Sequence, residues 1–233
     1  MSFIYSNGAQ FNGSSQYFTR AIASTVTNNF SMSAWFKPLA LANTRYFHNG
    51  ADDANGFALS MSSAGIIRGE YHFVAFINSA VTASPGTWFF VAMVRNAGTT
   101  QMYVNGVPSG GTSGSAPNTP GSYTTIGASQ NAAGTPSYFN GLVDDARLYE
   151  RAITAHEVSQ LYYRGLDIGT PDISTTSLRV HYKLDESSGN ASDSSGNSLT
   201  LTNTGTVTYV NGKIPTSGNP DSVGGIYRIQ GFQ

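Results

Sequence analysis

Cysteine is absent from the 233-residue chain, which excludes a disulfide framework and any thiolate metal site. Charge is scarce as well: Lys, Arg, Asp and Glu make up 11% of the residues, where soluble domains carry about 25%. Lysine occurs only as Lys37, Lys183 and Lys213, although lysine on edge strands is a common guard against sheet-to-sheet association. A net charge of −1 leaves no basic field to collect phosphates, so nucleic acid is not an expected partner. No apolar run approaches the ~18 residues of a membrane span. The opening MSFIYSNGAQF has neither the basic start nor the apolar stretch of a secretory leader, so synthesis in the cytoplasm without a signal peptide is expected. What the chain does have is a 39% apolar share and 26 glycines among many Ser, Thr and Asn. That is enough apolar material for a core, and the length fits one large all-β unit.

Alternation with period 2 dominates. In Phe30–Lys37 one face reads Phe30, Met32, Ala34 and Phe36, and the other reads Ser31, Ser33, Trp35 and Lys37; this predicts a half-buried strand closed by Pro38. Aromatic and β-branched runs at 71–77 and 88–95 predict strands with apolar neighbours on both sides. Gln101–Val104 meets Asn105-Gly106, a type I′ hairpin signal, because both central residues of that turn need positive φ. Further strands are expected at 124–127, 142–149, 178–184, 199–202 and 206–210, with long surface loops at 107–122 and 128–137. One helix is expected, over 154–164. Thr154 and Glu157 form a capping box, Ile153 and Val158 a hydrophobic staple, Val158, Leu161 and Tyr162 an apolar stripe, and Gly165 suits the C′ position. Residues 165–177 read as a linker.

The stretches FNGSSQYF (11–18), FSMSAWFKP (30–38), TWFFVAMVRNAGTTQMYVNGV (87–107) and FNGLVDDARLYERAITAHEVSQLY (139–162) resemble the laminin-G-like jelly rolls of the concanavalin A-like lectin/glucanase superfamily. The resemblance implies an antiparallel β-sandwich over 1–164. Residues 178–214 resemble the opening piece of such a domain, normally placed before the FNGSSQYF strand, so the motifs stand in rotated order. Two arrangements fit: 178–214 completes its own sandwich as a circular permutant, or it completes a neighbouring subunit by strand addition. Residues 215–233 form a Gly/Pro-rich tail.

Glycanases of this fold need two carboxylates about 5.5 to 9.5 Å apart, which the glucanase branch supplies from an E-x-D-x-x-E strand. None of Glu70, Glu150, Glu157 and Glu186 opens that pattern, so no catalytic residue and no enzyme activity are expected. No cofactor is required. Calcium is the metal whose hard oxygen ligands these loops could supply, from Asp52, Asp53, Asn55, Asp144, Asp193 and Asn197. Asp144 shares parity with Leu142, Ala146 and Leu148, so it is either a buried carboxylate accepting backbone N–H bonds, as from the 189–197 turn, or a calcium ligand. For sugars, Trp35 is an aromatic on a polar face, unless a loop or the C-terminal segment covers it. Tyr46, His48, Asp53 and Tyr138 are expected in loops gathered at the ligand end.

These features predict a non-catalytic structural protein of a bacteriophage virion, decorating a capsid or associated with a tail. Its expected partners are sister subunits or other virion proteins, with surface glycans as further ligands. The alternative is a carbohydrate-binding, lectin-like adhesion module of a bacterial protein.

Overall fold

The computed structural model describes residues 5–51, 55–129, 137–166 and 169–216. Its strands are β1 (Tyr5–Asn12), β2 (Tyr17–Arg20), β3 (Phe30–Pro38), β4 (Thr44–Ala51), β5 (Asn55–Met61), β6 (Ile66–Tyr71), β7 (Ala75–Thr82), β8 (Phe89–Asn96), β9 (Thr99–Val104) and β10 (Val107–Ser113). There follow β11 (Thr124–Ile126), β12 (Asn140–Tyr149), the helix α1 (Ala155–Arg164), β13 (Leu178–Tyr182), β14 (Thr202–Thr204) and β15 (Thr208–Pro215). Two antiparallel sheets form a sandwich. Sheet A runs β10-β9-β8-β3-β12-β1-β15, with β13 also on β12; sheet B runs β14-β2-β11-β4-β5-β6-β7. This is the expected all-β antiparallel sandwich with one short helix.

The alternation in β3 decides which residues the sheets share. Phe30, Met32, Ala34 and Phe36 point between the sheets, where Phe30 stacks on Phe57 at 4.0 Å and Phe36 on Tyr46 at 4.2 Å. Burying each such ring is worth about 1.5–3 kcal/mol. The opposite face of sheet A is buried too. Trp35, Phe90, Ala92, Val94 and Tyr149 form a second apolar cluster beneath Val158 and Leu161 of α1 and Ile173 and Leu178 beyond it. On the outer side of sheet B the middle strands are buried as well, at His48, Ala58, Ser60, Glu70 and Thr125, and alternating exposure appears in the edge strand β7.

Strands β13, β14 and β15 pair with β12, β2 and β1 of the same chain. Residues 140–143 of β12 pair with β1 and residues 146–149 with β13, so the two partners share the two halves of one strand. Between those halves lies a bulge, with Asp145 at φ 47°. The bulge changes the parity expected from the sequence: Val143, Ala146 and Leu148 enter the core, while Asp144 pairs with Trp35 and faces the other side of the sheet.

Three element assignments differ from those read off the sequence. The 71–77 run is not one strand: β6 ends at Tyr71, Val74 N–H donates to Tyr71 O at 2.9 Å, and β7 begins at Ala75, leaving a hairpin turn between. Residues 107–113 are not loop but edge strand β10, as the Asn105-Gly106 turn requires; both residues have positive φ, 51° and 83°. The expected loop around 48 is strand up to Ala51, because Gly50 and Gly56 let the β4 and β5 backbones pass where a Cβ would meet main-chain atoms. The helix has the expected capping box, Thr154 accepting from Glu157 N–H at 3.2 Å and Glu157 from Thr154 N–H at 2.8 Å. Gly165, however, has a right-handed φ of −75°. Glycine is required there because a Cβ would collide with the Trp35 indole. No helix among the described residues is long and apolar enough to cross a membrane.

Candidate functional site

The residues singled out from the sequence do not assemble into one site. Trp35 is 1% exposed, stacked on Tyr162 at 5.6 Å beneath α1 with the Lys213 ammonium 5.1 Å from its ring, so it offers no surface to a sugar. Tyr46 and His48 lie within β4, not in a loop, and both are fully buried; Tyr46 belongs to the core, and His48 Nδ1 lies 3.2 Å from Thr125 Oγ1. Tyr138 is half-buried, its ring 6.0 Å from Tyr17. Asp52 and Asp53 lie outside the described residues.

The remaining calcium candidates are used as backbone clamps. Asn55 Oδ1 accepts from Gly121 N–H at 2.7 Å and Ala51 N–H at 3.2 Å. Asp193 accepts from the N–H groups of His181, Ser195 and Leu199 and from the Ser195 hydroxyl. Asn197 Nδ2 donates to the Leu178 and Arg179 carbonyls. Oxygens already facing N–H donors, and an amide presenting its nitrogen, do not fit a cation. Among the described residues, no group of three or more His, Asp or Glu side chains is placed to hold a metal. Asp144 is fully buried, and its Oδ2 accepts from Lys213 N–H at 2.6 Å and Ile214 N–H at 3.1 Å. The donors come from β15 and not from the 189–197 turn. Burial pushes its carboxyl well above the usual range; the two amides oppose that shift and the neighbouring Asp145 adds to it.

Beside it lies a buried ionic cluster. The Arg147 guanidinium donates to Asp145 Oδ1 at 2.9 and 3.1 Å and to both Asp172 oxygens at 2.6 and 3.2 Å, and His181 Nε2 lies 2.7 Å from Asp145 Oδ1. Burial acts to raise the Asp145 carboxyl, but Arg147 and His181 hold it far below the usual range. Through Asp172 and His181 this cluster ties the 169–177 segment and β13 to β12.

A groove does open at the β6–β7 edge of sheet B. It encloses about 320 Å³ and is lined by Arg45, Glu70, Tyr71, His72, Phe73, Val74, Ala75 and Phe76. Its polar wall is a fork: Arg45 Nε donates to Glu70 Oε2 at 3.0 Å and Nη2 donates to Oε1. Glu70 is 3% exposed. Burial alone would raise its carboxyl, but hydrogen bonds from His72 and Arg45 bring it down to about 2, so it stays ionised. The apolar wall is unusually open: Phe73 is 80% exposed and Phe76 55%. The Arg68 guanidinium, 4.0 Å from the Phe76 ring and donating to Ser60 Oγ and Asn43 Oδ1, pins that ring in place. Phe73 sits at φ 58°, a conformation bulky residues rarely adopt. Reading 71–77 as one strand hid this site. The usable signal was parity in β7, where Phe76 aligns with exposed Asn78, Ala80 and Thr82 and not with buried Ile77.

Chemically, the exposed Phe73 and Phe76 rings offer an apolar surface suited to the C–H face of a ligand. A family profile described as the concanavalin A-like lectin/glucanases superfamily matches residues 12–159. Among solved structures, the chain is similar to a candidate carbohydrate-binding protein from Bacteroides ovatus, at 19% identity and a TM-score of 0.68, covering 93% of this chain and 62% of that one. It thus spans about three fifths of the Bacteroides protein's length. It is also similar to a heptameric pentraxin of Limulus polyphemus, at 18% identity and TM-score 0.57, over 78% of this chain and 94% of that one. Domain 4 of an extracellular arabinanase from Geobacillus stearothermophilus, solved with arabinotriose, matches at 26% identity and TM-score 0.54, over 66% of this chain and 76% of that one. No curated protein matches the chain.

Proposed function

The chain belongs to the concanavalin A-like lectin/glucanases superfamily, and from that premise we propose that it is a non-catalytic carbohydrate-binding module. The observation that carries this reading is the β6–β7 groove, where exposed Phe73 and Phe76 stand against the Arg45–Glu70 pair. The relatives support it, since one is a candidate carbohydrate-binding protein and another was solved with an oligosaccharide. They favour glycan recognition over the virion structural role expected from the sequence. The fold alone does not decide, because this architecture hosts many functions. A catalytic reading draws little from the glutamates: Glu157 is engaged by Arg151 and the helix cap, Glu70 by Arg45, and Glu150 accepts from Ser24 Oγ. Screening the chain on a glycan array, followed by assaying its ligands for cleavage, tests the proposal. Retained ligand left uncleaved is expected; release of shortened products would overturn it.

A further inference from the structure

We propose that a second groove, between residues 187–189 and the β14–β15 turn, binds an uncharged saccharide through the hydroxyls of Ser187, Ser188, Thr206 and Thr208 and the ring of Tyr209. The inference rests on the carbohydrate-binding reading for its ligand class and adds a site apart from the Phe73 groove.

This groove encloses about 490 Å³, within the range of about 300 to 1,000 Å³ usual for ligand sites. Its two walls are joined before any ligand arrives. Gly189 O accepts from Asn203 Nδ2 at 2.8 Å and from the Tyr209 hydroxyl at 3.2 Å. Asn190 Oδ1 accepts from Asn203 N–H at 3.0 Å, and Asn203 Oδ1 accepts from Val207 N–H at 2.8 Å. The turn is seated in its own right on the 12–16 loop: Gln16 Nε2 donates to Thr206 O at 2.7 Å, and a Cβ at Gly205 would meet the Ser15 carbonyl. Walls already ordered lose little entropy on binding.

Asn203 is spent on that scaffold, which leaves hydroxyls for a ligand. Ser187, Ser188, Thr206 and Thr208 are exposed and line the groove. Their hydroxyls make no hydrogen bond to another described residue. A hydroxyl both donates and accepts, so a rim of them suits a ligand whose own groups do both. Tyr209 lines the same groove, half-buried with its ring 5.9 Å from Phe18, and adds an aromatic surface for sugar C–H groups. No charged side chain is among the lining residues, so an anionic ligand meets no counter-ion. Burial, then the Glu186 and Asp185 charges, raise the Tyr209 hydroxyl above its usual range, and the same negative field opposes phosphate, sulfate or carboxylate groups. Hydroxyl oxygens without a carboxylate are also a poor seat for a metal cation.

The place matters as well. Strand β14 is the first of the seven strands of sheet B and β7 the last, so the two grooves lie at opposite edges. Six strand steps of about 4.8 Å separate them by roughly 29 Å, too far for one trisaccharide to bridge. Each site is therefore measurable without the other.

The test is calorimetry on the full chain with arabinotriose, cellotriose and an oligogalacturonide of equal length, in the wild type and in a Phe73→Ala/Phe76→Ala variant that lacks the rings of the other groove. Array-selected neutral glycans replace the two neutral sugars if neither is bound. The doubly substituted chain is expected to keep neutral-sugar binding. Adding Thr208→Trp, which fills the second groove from an exposed position, should abolish it. Adding Thr208→Val should weaken it about three- to tenfold, the loss of one hydrogen bond, and decides the matter should the Trp variant fail to fold. Loss of all neutral-sugar binding in the Phe73→Ala/Phe76→Ala chain, or binding there unchanged by both Thr208 substitutions, would overturn this site while the carbohydrate-binding reading stands. Tighter binding of the oligogalacturonide than of either neutral sugar in that chain would overturn the ligand class. Binding of no glycan, neutral or acidic, would overturn both.

Discussion

The Asp144 carboxylate accepts the backbone N–H of Lys213 at 2.6 Å, joining the middle of sheet A to a strand 69 residues later in the chain. Gly212 makes that approach possible, since a Cβ there would meet Asp144 Oδ2 and the Asn7 carbonyl. Gly212→Ala should therefore destabilise the fold by about 1–3 kcal/mol, the usual cost of forcing an extra carbon into a packed site. Urea unfolding measures it; an unchanged midpoint would show that β15 is not clamped as described.

Asp144→Asn is expected to act in the opposite direction at neutral pH. Burial raises the Asp144 carboxyl above its ordinary value of 3.8. A group raised in this way contributes its stability at low pH and loses it as pH rises toward the folded-state value. The Asn variant keeps an oxygen for the Lys213 and Ile214 amides and carries no charge. It should match or exceed the wild type at neutral pH, with the advantage shrinking below about pH 4. A variant less stable at neutral pH than at pH 4, relative to wild type, would contradict the assignment.

Glu70 carries the usual carboxylate sign. Its folded value, about 2, lies below the ordinary 4.5, so its contribution is complete above about pH 4.5 and disappears as pH falls toward 2. Glu157, held to about 2 chiefly by Arg151, adds to the same window. Glu70→Gln should flatten the fall in stability between those pH values, read from denaturant midpoints across an acid series. A slope identical to wild type would remove Glu70 from the account.

Trp35 is expected to report on the helix and not on sugar. Leu161→Ala, on the buried face of α1, should cost about 2–5 kcal/mol and shift indole fluorescence toward that of exposed tryptophan, because Leu161 and Trp35 share one buried cluster. Ligand affinity per folded molecule should not change.

Much of the scaffold was legible because it rests on local rules. The Phe30–Phe36 alternation, the Asn105-Gly106 turn and the Thr154–Glu157 cap each follow from a few adjacent residues. The site was harder to read because it depends on departures from those rules. A bulge at Asp145 reverses the parity that placed Asp144 in the core. Trp35 carries the polar-face signature of a sugar platform, yet α1, more than a hundred residues later, covers it. Phe73 looks like the centre of an apolar strand and is instead the exposed tip of a turn. Tyr46 and His48 border a glycine-rich stretch that reads as loop, while pairing between β4 and β5 keeps it extended. Residues that pack two layers apart leave no mark in a sequence window, whereas the outward parity of Phe76 did.

The most direct measurement is a crystal structure of the full chain soaked with a neutral oligosaccharide that it binds. Density for a sugar ring against the exposed Phe73 and Phe76 rings is the predicted result. A ligand bound elsewhere, with the β6–β7 groove holding only solvent, would contradict it.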